Sequence, residues 1–221
     1  MLESLMVPAS TFASDIDNVV NLVGVIVAFW FTLTVMAFFW LLWRYRYREG
    51  VRALYVTGNE PELKRWINIP HYLIIACDVA IIYAAVTVWY EVKQTLPENP
   101  MMVEVVGQQW AWTFVHPGVD GKLGSDDDVK TADELHVVLD KPVQFTLESR
   151  DVLHSFSVPA FRLKQDVIPG RKITGWFQPT RAGVYDLQCA EMCGIGHGIM
   201  AARVFVETPE QHAAWLESAA K

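Results

Sequence analysis

The residues most able to do chemistry lie in one stretch, Cys189-Ala-Glu-Met-Cys193-Gly-Ile-Gly-His197-Gly-Ile-Met200. Its glycines disfavour a helix and predict a folded-back loop, here called the ligand loop (residues 189–200). Such a loop can direct several side chains and a backbone carbonyl at one centre. Thiolate and thioether ligands combined with imidazole favour copper over hard cations.

The number of cysteines in the ligand loop bears on how many ions it holds. A mononuclear blue-copper site uses one Cys, two His and a weak Met, but here a second Cys is available. Two thiolates can bridge two copper ions, each of which then takes one imidazole. That arrangement needs a second histidine, and His154, which lies 35 residues before Cys189, is the candidate. The sequence therefore predicts a binuclear copper centre with one ligand from an earlier strand.

Two alternatives for the ligand loop remain open at this point. Cys189 and Cys193 could form a disulfide if this part of the chain faces an oxidising compartment, although His197 and Met200 would then be coincidental. A structural zinc site of two Cys and two His is the second alternative, and it does not need Met200.

Two apolar segments precede the ligand loop and predict a membrane anchor. Val19–Trp43 contains no charged residue and spans about 37 Å as a helix. A second span is predicted over Asn68–Tyr90. The intervening loop, residues 44–67, carries six Lys and Arg residues, which places it in the cytoplasm. Residues 1–18 are then a short external segment, and both termini lie outside.

The second span contains two ionisable residues, His71 and Asp78. A charge within a membrane is costly unless it is paired or faces protein or water. Seven residues apart, the two side chains lie on nearly the same face of a helix. They predict either a polar stripe buried against a partner subunit or a contribution to a proton path.

After a turn-rich linker at residues 94–100, residues 101–221 show the pattern of a separate β domain. Short β-prone runs divided by turn residues predict a β-sandwich or barrel. Asp120–Asp133 is acidic and predicts an exposed loop. Residues 209–220 predict a short helix with Thr208 as N-cap. The predicted strands are Met101–Val106, Glu134–Leu139, Val143–Glu148, Lys172–Phe177, Val184–Leu187 and Ala201–Val206.

Composition agrees with a membrane protein that has a soluble part. Hydrophobic residues make up 52% of the chain and charged residues 19%. The net charge of −7 argues against nucleic acid as a partner. The third cysteine, Cys77, is interpreted as a small buried hydrophobe. No Cys-x-x-Cys-His is present, so no covalently attached haem is expected.

At the ligand loop the chain resembles subunit II of the haem-copper oxygen reductases, the cytochrome c oxidase subunit that carries the binuclear copper centre CuA. That family's loop reads Cys-x-Glu-x-Cys-Gly-x-x-His-x-x-Met, and residues 189–200 match every fixed position. Asp151-Val-Leu-His-Ser-Phe and Leu163-Lys-Gln-Asp-Val-Ile-Pro-Gly-Arg171 are further family-like stretches. The resemblance implies two transmembrane helices followed by an all-β, cupredoxin-like Greek-key domain.

The resemblance also implies a role for each residue of the site. Cys189 and Cys193 would bridge the two copper ions, and each ion would also take one imidazole as a terminal ligand. One axial ligand would be a thioether and the other a backbone carbonyl. The Glu191 carboxylate would be free to bind magnesium at the border with the catalytic subunit. The remaining copper ligands implied are His154, His197, Met200 and the carbonyl of Glu191.

Gly107-Gln-Gln-Trp110-Ala-Trp112 is the second informative stretch. If the stretch is a strand, both tryptophans project to one side, either as core aromatics or at a functional surface. The resemblance makes Trp110 the exposed point of electron entry and Asp151 part of the donor-docking surface. The family usually has His at position 108 and an aromatic residue at 111, where this chain has Gln and Ala.

The resemblance implies the electron-entry subunit of a respiratory terminal oxidase. It would take single electrons from a soluble cytochrome c and pass them to haem in a catalytic partner subunit that reduces oxygen and translocates protons. Residues 101–221 carry 16 acidic and 11 basic residues, which would attract a basic donor. A CuA-containing nitric oxide reductase is an alternative, since Leu63 stands where the family often has a proton-entry glutamate. A membrane-anchored copper carrier is a further alternative.

Overall fold

The computed structural model describes residues 6–53 and 55–219 and contains the two predicted apolar helices. Helix α1 spans Ala13–Arg44 and helix α2 spans Pro61–Gln94. Their most apolar windows have mean hydropathies of 2.4 and 2.0, and both helices are long enough to cross a membrane. Both exceed the predicted spans, and α2 begins inside the predicted loop 44–67. Pro61 suits that start because a proline at the first helical position loses no helix hydrogen bond.

The β domain is a sandwich of two five-stranded sheets. One has the order β3-β2-β1-β5-β8 and the other β4-β10-β9-β6-β7. An eleven-residue helix, α3, follows the last strand at Pro209–Ala219. The strands are β1 Met101–Gln108, β2 Ala111–His116, β3 Val129–Ala132, β4 Glu134–Val138, β5 Val143–Ser149, β6 His154–Val158, β7 Leu163–Val167, β8 Ile173–Phe177, β9 Gly183–Cys189 and β10 Ala201–Glu207.

The predicted fold class, two apolar helices followed by an all-β domain, is confirmed, but four strands were not predicted. Two of them, β3 and β7, lie at sheet edges. Edge strands are short and polar because one side remains unpaired, so their sequences resemble loops. Strand β3 falls within the predicted loop Asp120–Asp133, and β6 carries His154 as its first residue.

The sandwich core forms where alternate residues of facing strands point inwards. Strand β5 shows the pattern most clearly, with Val143, Phe145 and Leu147 each at most 1% exposed. Sheets packed face to face interdigitate such residues in a layer about 10 Å thick. The opposing sheet contributes Phe156, Val158, Leu187, Val204 and Val206.

The N-terminal segment, residues 6–17, belongs to the same compact unit as the β domain. Ala9 and Phe12 are buried in its core, and Phe12 packs edge-on against Trp176. Asp17, in the first turns of α1, is 1% exposed and accepts two hydrogen bonds from the Arg162 guanidinium, at 2.6 and 2.8 Å. A paired and hydrogen-bonded geometry of this kind is what a buried charge requires. The external segment expected over residues 1–18 is therefore packed against the β domain over residues 6–17.

A histidine cluster links α3 to the sandwich. His136 stacks between Phe205 and Trp215, with ring centroids 4.5 and 4.1 Å away. Its Nδ1 lies 2.9 Å from a carboxylate oxygen of Glu207. His116, which is completely buried, accepts a hydrogen bond at Nε2 from the backbone N–H of His136. This acceptor role requires an unprotonated Nε2, so the packing favours the neutral imidazole.

We expect the histidine cluster to make the protein acid-sensitive. Burial lowers the pKa of His116 from 6.5 to about 3, so the unfolded chain takes up a proton that the folded chain refuses between those values. Stability is therefore full above about pH 6.5 and falls as the pH drops, by about 2 kcal/mol at pH 5 for this group. Urea unfolding of the detergent-solubilised chain at pH 5 to 8 measures the change.

The His116→Phe variant is the control for this expectation. It lacks the titrating group, so its unfolding free energy should vary less between pH 5 and 7, whatever its stability at neutral pH. An equal pH dependence in the variant and the unaltered chain would contradict the role of His116.

Candidate metal centre

Strand pairing places the first predicted ligands next to each other at one end of a sheet. β6 begins with His154, β9 ends with Cys189, and the two strands are antiparallel neighbours with Phe156 opposite Cys189. The ligand loop then runs from β9 into β10. It is closed at both ends, because the Cys189 N–H donates to the Met200 carbonyl and the Ala190 N–H to the Ser155 carbonyl, both at 3.0 Å.

The two thiols lie at the middle of the cluster. The Sγ atoms of Cys189 and Cys193 are 3.7 Å apart, and both cysteines are free. A disulfide has an S–S distance of about 2.05 Å, so the disulfide alternative is wrong for this structure. Each thiol is buried, at 7% and 3% exposure, so few water molecules compete for it.

The other predicted ligand atoms surround this pair of sulfur atoms. His154 Nδ1 lies 3.9 Å from Cys189 Sγ, and His197 Nδ1 lies 3.7 Å from Cys193 Sγ. Met200 Sδ is also 3.7 Å from Cys193 Sγ. The carbonyl oxygen of Glu191 is 3.2 Å from Cys189 Sγ. Each of the other four predicted donor groups therefore lies within 4 Å of one of the two thiols. His154, Cys189 and Cys193 are buried with their ligand atoms within 4.8 Å of one another, whereas His197 is half-buried.

Asp151 fixes the orientation of His154. Its carboxylate Oδ1 lies 2.8 Å from His154 Nε2 and accepts a hydrogen bond from the Val152 N–H at 2.6 Å. Its Oδ2 accepts from the Gln109 N–H at 2.7 Å. Burial acts to raise the pKa of Asp151, but the hydrogen bonds from Gln109 and His154 lower it below its usual value. With Nε2 bound to this carboxylate, the Nδ1 of His154 is left to face Cys189, as in metal-ligating histidines.

The protonation state of the Cys193 thiol opposes metal loading. Burial, followed by the hydrogen bond with the Cys189 thiol, raises the pKa of Cys193 to about 11. The metal-free thiol is therefore protonated at neutral pH. Because metals bind the thiolate, loading the site releases protons.

Trp110 lies on the surface beside the ligand loop. It sits in the turn between β1 and β2, is 40% exposed, and its Nε1–H donates to the Cys193 carbonyl at 3.3 Å. Trp112, by contrast, is fully buried on β2. The expectation that both tryptophans project the same way is therefore wrong, because the chain turns at Gln109 and Trp110 instead of continuing as one strand.

The remaining predicted residues lie apart from the cluster. His71 and Asp78 are exposed on α2, and seven residues of helix separate them by about 10 Å along the axis, so they do not bond to each other. The side chain of Glu191 is half-buried at the ligand loop. The sequence did not single out Gln109, although its position next to Trp110 was the available signal.

This fold and site define a protein with two apolar helices of membrane-spanning length and a cupredoxin-like β domain that carries a candidate metal site. The protein-family model for the periplasmic domain of cytochrome c oxidase subunit II matches residues 101–207 of this chain. The chain is 34% identical to "Alternative cytochrome c oxidase subunit 2" of Bradyrhizobium diazoefficiens, over 95% of this chain and 82% of that protein. It is 30% identical to "Cytochrome c oxidase subunit 2" of Cereibacter sphaeroides, over 96% and 78%. The chain belongs to the cytochrome c oxidase subunit II family.

A solved structure supports the same assignment. The periplasmic domain of subunit II of cytochrome oxidase from Bradyrhizobium japonicum superposes with a TM-score of 0.50 at 27% identity, over 57% of this chain and 96% of that one. The protein is therefore a subunit of a haem-copper oxidoreductase complex, held by its apolar helices in a membrane with the β domain on the outer side.

Proposed function

We propose that this chain is the electron-entry subunit of a respiratory oxidase and holds a binuclear copper centre. The observation that carries the proposal is the buried pair of free thiols, 3.7 Å apart, with one imidazole nitrogen within 4 Å of each. The thioether of Met200 and the carbonyl of Glu191 complete the donor set. Six donors exceed the four that a structural zinc ion takes, and soft sulfur ligands suit copper.

The chemistry of this site fits one-electron transfer. When bound, two copper ions held by Cys189 and Cys193 would supply a reversible one-electron centre that needs little rearrangement between its oxidation states. The residues of this chain would hold that centre in place and shield its thiols from water. Asp151 fixes the ring of His154, the loop is hydrogen-bonded to β6 and β10, and the thiols are shielded from water. Rigid ligands held by outer hydrogen bonds are typical of tuned metal sites.

Trp110 is the proposed point of electron entry from a soluble cytochrome c. Its indole joins the surface to the backbone of Cys193, a proposed copper ligand, through the hydrogen bond to the Cys193 carbonyl. Exposed apolar side chains of the ligand loop, Met192, Ile195 and Ile199, add an apolar surface in which a donor can exclude water. Aromatic and apolar anchors of this kind dominate protein interfaces.

The acidic run Asp126–Asp128 and Asp151 are less suited to contact with a donor than the sequence implied. The run Asp126–Asp128 precedes β3 and follows the end of β2, whereas Trp110 precedes the start of β2. Six strand residues separate the two ends by about 20 Å. Asp151 is occupied by the three hydrogen bonds described above. We therefore propose that Asp151 orients His154, and that the run Asp126–Asp128 attracts a basic donor at long range without contacting it.

The partner subunit supplies the remaining chemistry. Electrons pass to haem in the catalytic subunit, which reduces oxygen to water and translocates protons, and the names of the relatives favour oxygen over nitric oxide as acceptor. The Glu191 carboxylate is proposed to bind magnesium at the boundary between the subunits. His71 and Asp78 are proposed to face the catalytic subunit within the membrane, because a lipid-facing charge is costly. The basic residues between α1 and α2 support the proposal that this loop lies in the cytoplasm and that both termini lie outside.

Electron paramagnetic resonance tests this proposal directly. The full chain, purified in detergent, loaded with copper and oxidised, should contain two copper ions and give a seven-line hyperfine pattern, since one unpaired electron is shared by two copper nuclei. A four-line pattern would indicate a mononuclear site. A silent spectrum with bound zinc would restore the zinc alternative. Either result would overturn the proposal.

A further inference from the structure

Gln109 contacts both halves of the site, although it is not a metal ligand. Its backbone N–H donates to Asp151 Oδ2 at 2.7 Å, and the other oxygen of that carboxylate holds His154. Its side-chain Nε2 donates to the Cys193 carbonyl, also at 2.7 Å. One residue therefore joins the segment that carries the first histidine ligand to the loop that carries the cysteines.

The Cys193 carbonyl is the point where Gln109 and Trp110 meet. Trp110 Nε1–H donates to the same oxygen at 3.3 Å, which is long for an N–H···O bond. The Gln109 amide makes the shorter contact of the two. The position of the indole relative to Cys193 therefore depends on a carbonyl that Gln109 holds in place.

The backbone of the ligand loop is shaped to receive these two side chains. A Cβ atom at Gly194 would lie 2.9 Å from Gln109 Nε2, and one at Gly196 would lie 2.4 Å from the Trp110 ring. Gly194 also has a φ of +124°, which L side chains rarely adopt. Both glycines let the dipeptide Gln109–Trp110 lie directly on the loop, so the contact is a built feature of the site.

We propose that Gln109 is the positioning residue that fixes Trp110 against the Cys193 backbone for electron entry. The proposal rests on the function proposed above, in which Trp110 is the entry point. Without the amide donor, the Cys193 carbonyl keeps only its longer bond, and the indole is free to shift. Misplacement of reacting groups by about an ångström costs on the order of a hundredfold in rate. A partial loss of alignment is therefore expected to slow entry about tenfold.

A double-mutant cycle in the intact oxidase complex tests this role. Electron transfer from bound, photoreduced cytochrome c is followed by flash photolysis in Gln109→Leu, Trp110→Ala and the double variant. We expect Gln109→Leu to slow transfer about tenfold, with copper content, the seven-line spectrum and the KM for the donor unchanged. In the Trp110→Ala background it should add no further loss. The neighbouring exposed residue provides the matched control, Gln108→Leu, which should transfer at the unaltered rate.

The possible outcomes separate this inference from the proposed function. An unchanged rate in Gln109→Leu, together with slow transfer in Trp110→Ala, overturns the role of Gln109 alone. The role of Gln109 is also overturned if the double variant transfers electrons more slowly than Trp110→Ala by the same factor that Gln109→Leu shows alone. Gln109 would then affect the transfer rate independently of Trp110. If Gln109→Leu loses copper, Gln109→Glu keeps the side-chain length without the donor at neutral pH. Copper loss there too would make Gln109 a support of the loop itself and refute the proposal. A normal rate in Trp110→Ala would instead refute the proposed entry point.

Discussion

Replacing His154 with alanine is expected to abolish the seven-line spectrum of the copper-loaded protein. His154 is fully buried, its Nδ1 faces Cys189 Sγ at 3.9 Å, and Asp151 fixes the ring from the opposite side. Among the described residues, the histidine nitrogens within 4 Å of the two thiols belong to His154 and His197. In the proposed centre, loss of one imidazole would leave one copper ion without its nitrogen ligand, and electron sharing between the ions should end. Electron paramagnetic resonance and copper analysis measure this directly.

His212→Ala is the matched control for the ligand assignment. His212 is also a buried histidine of the β domain, but it lies on α3, where its Nδ1 faces Glu207 at 3.1 Å. We expect this variant to bind two copper ions and to retain seven lines. If His154→Ala also retained them, His154 would not be a ligand and the site would need another source of nitrogen.

Trp110→Ala is expected to slow oxidation of reduced cytochrome c by about two orders of magnitude while both copper ions remain bound. The side chain is partly exposed and contacts the ligand loop through the Cys193 carbonyl, but it supplies no ligand atom. In the role proposed for it, its loss would remove the aromatic group that aligns the donor with the centre, and misalignment of reacting partners can cost about a hundredfold in rate. Stopped-flow measurement of cytochrome c oxidation by the complex gives the rate.

A variant of a second tryptophan in the same domain distinguishes a defect in electron entry from a defect in folding. Trp215 packs on His136 at the histidine cluster, and Trp215→Phe should leave donor oxidation unchanged. Reduction of the copper by a small photoreductant, which bypasses the docking surface, should remain fast in Trp110→Ala. Normal cytochrome c oxidation in Trp110→Ala would make the residue an ordinary surface aromatic.

The sequence was most informative where the site is local. Cys189, Cys193, His197 and Met200 lie within one loop, so spacing and residue type alone predicted that they converge. His154 was predicted only because the chemistry required a second imidazole. The antiparallel pairing of β6 with β9 explains its approach to Cys189. His154 was expected on an earlier strand, but the range of that strand was not predicted.

Other parts of the site could not be predicted because they depend on contacts between distant segments. The burial of Trp112 and exposure of Trp110 follow from a turn that interrupts a run with strand-like alternation. The inward orientation of Asp151 depends on the backbone N–H of Gln109, which is 42 residues away in sequence. A lone carboxylate in a polar stretch gives no signal of that partner.

The packing of residues 6–17 against the β domain has a consequence for biogenesis. Ser10 donates to the carbonyl of Phe161, which lies 151 residues later, and Asp17 pairs with Arg162, which lies 145 residues later. Residues 6–17 therefore cannot complete these contacts until that part of the chain has been synthesised. Contacts of such sequence separation slow folding because a long loop must close first. The outer domain cannot complete its core until the C-terminal half has crossed the membrane. In a truncated domain that starts at Met101, the core surface that Ala9 and Phe12 cover would be exposed to water. The N-terminal segment therefore makes membrane insertion and maturation of the outer domain one linked event.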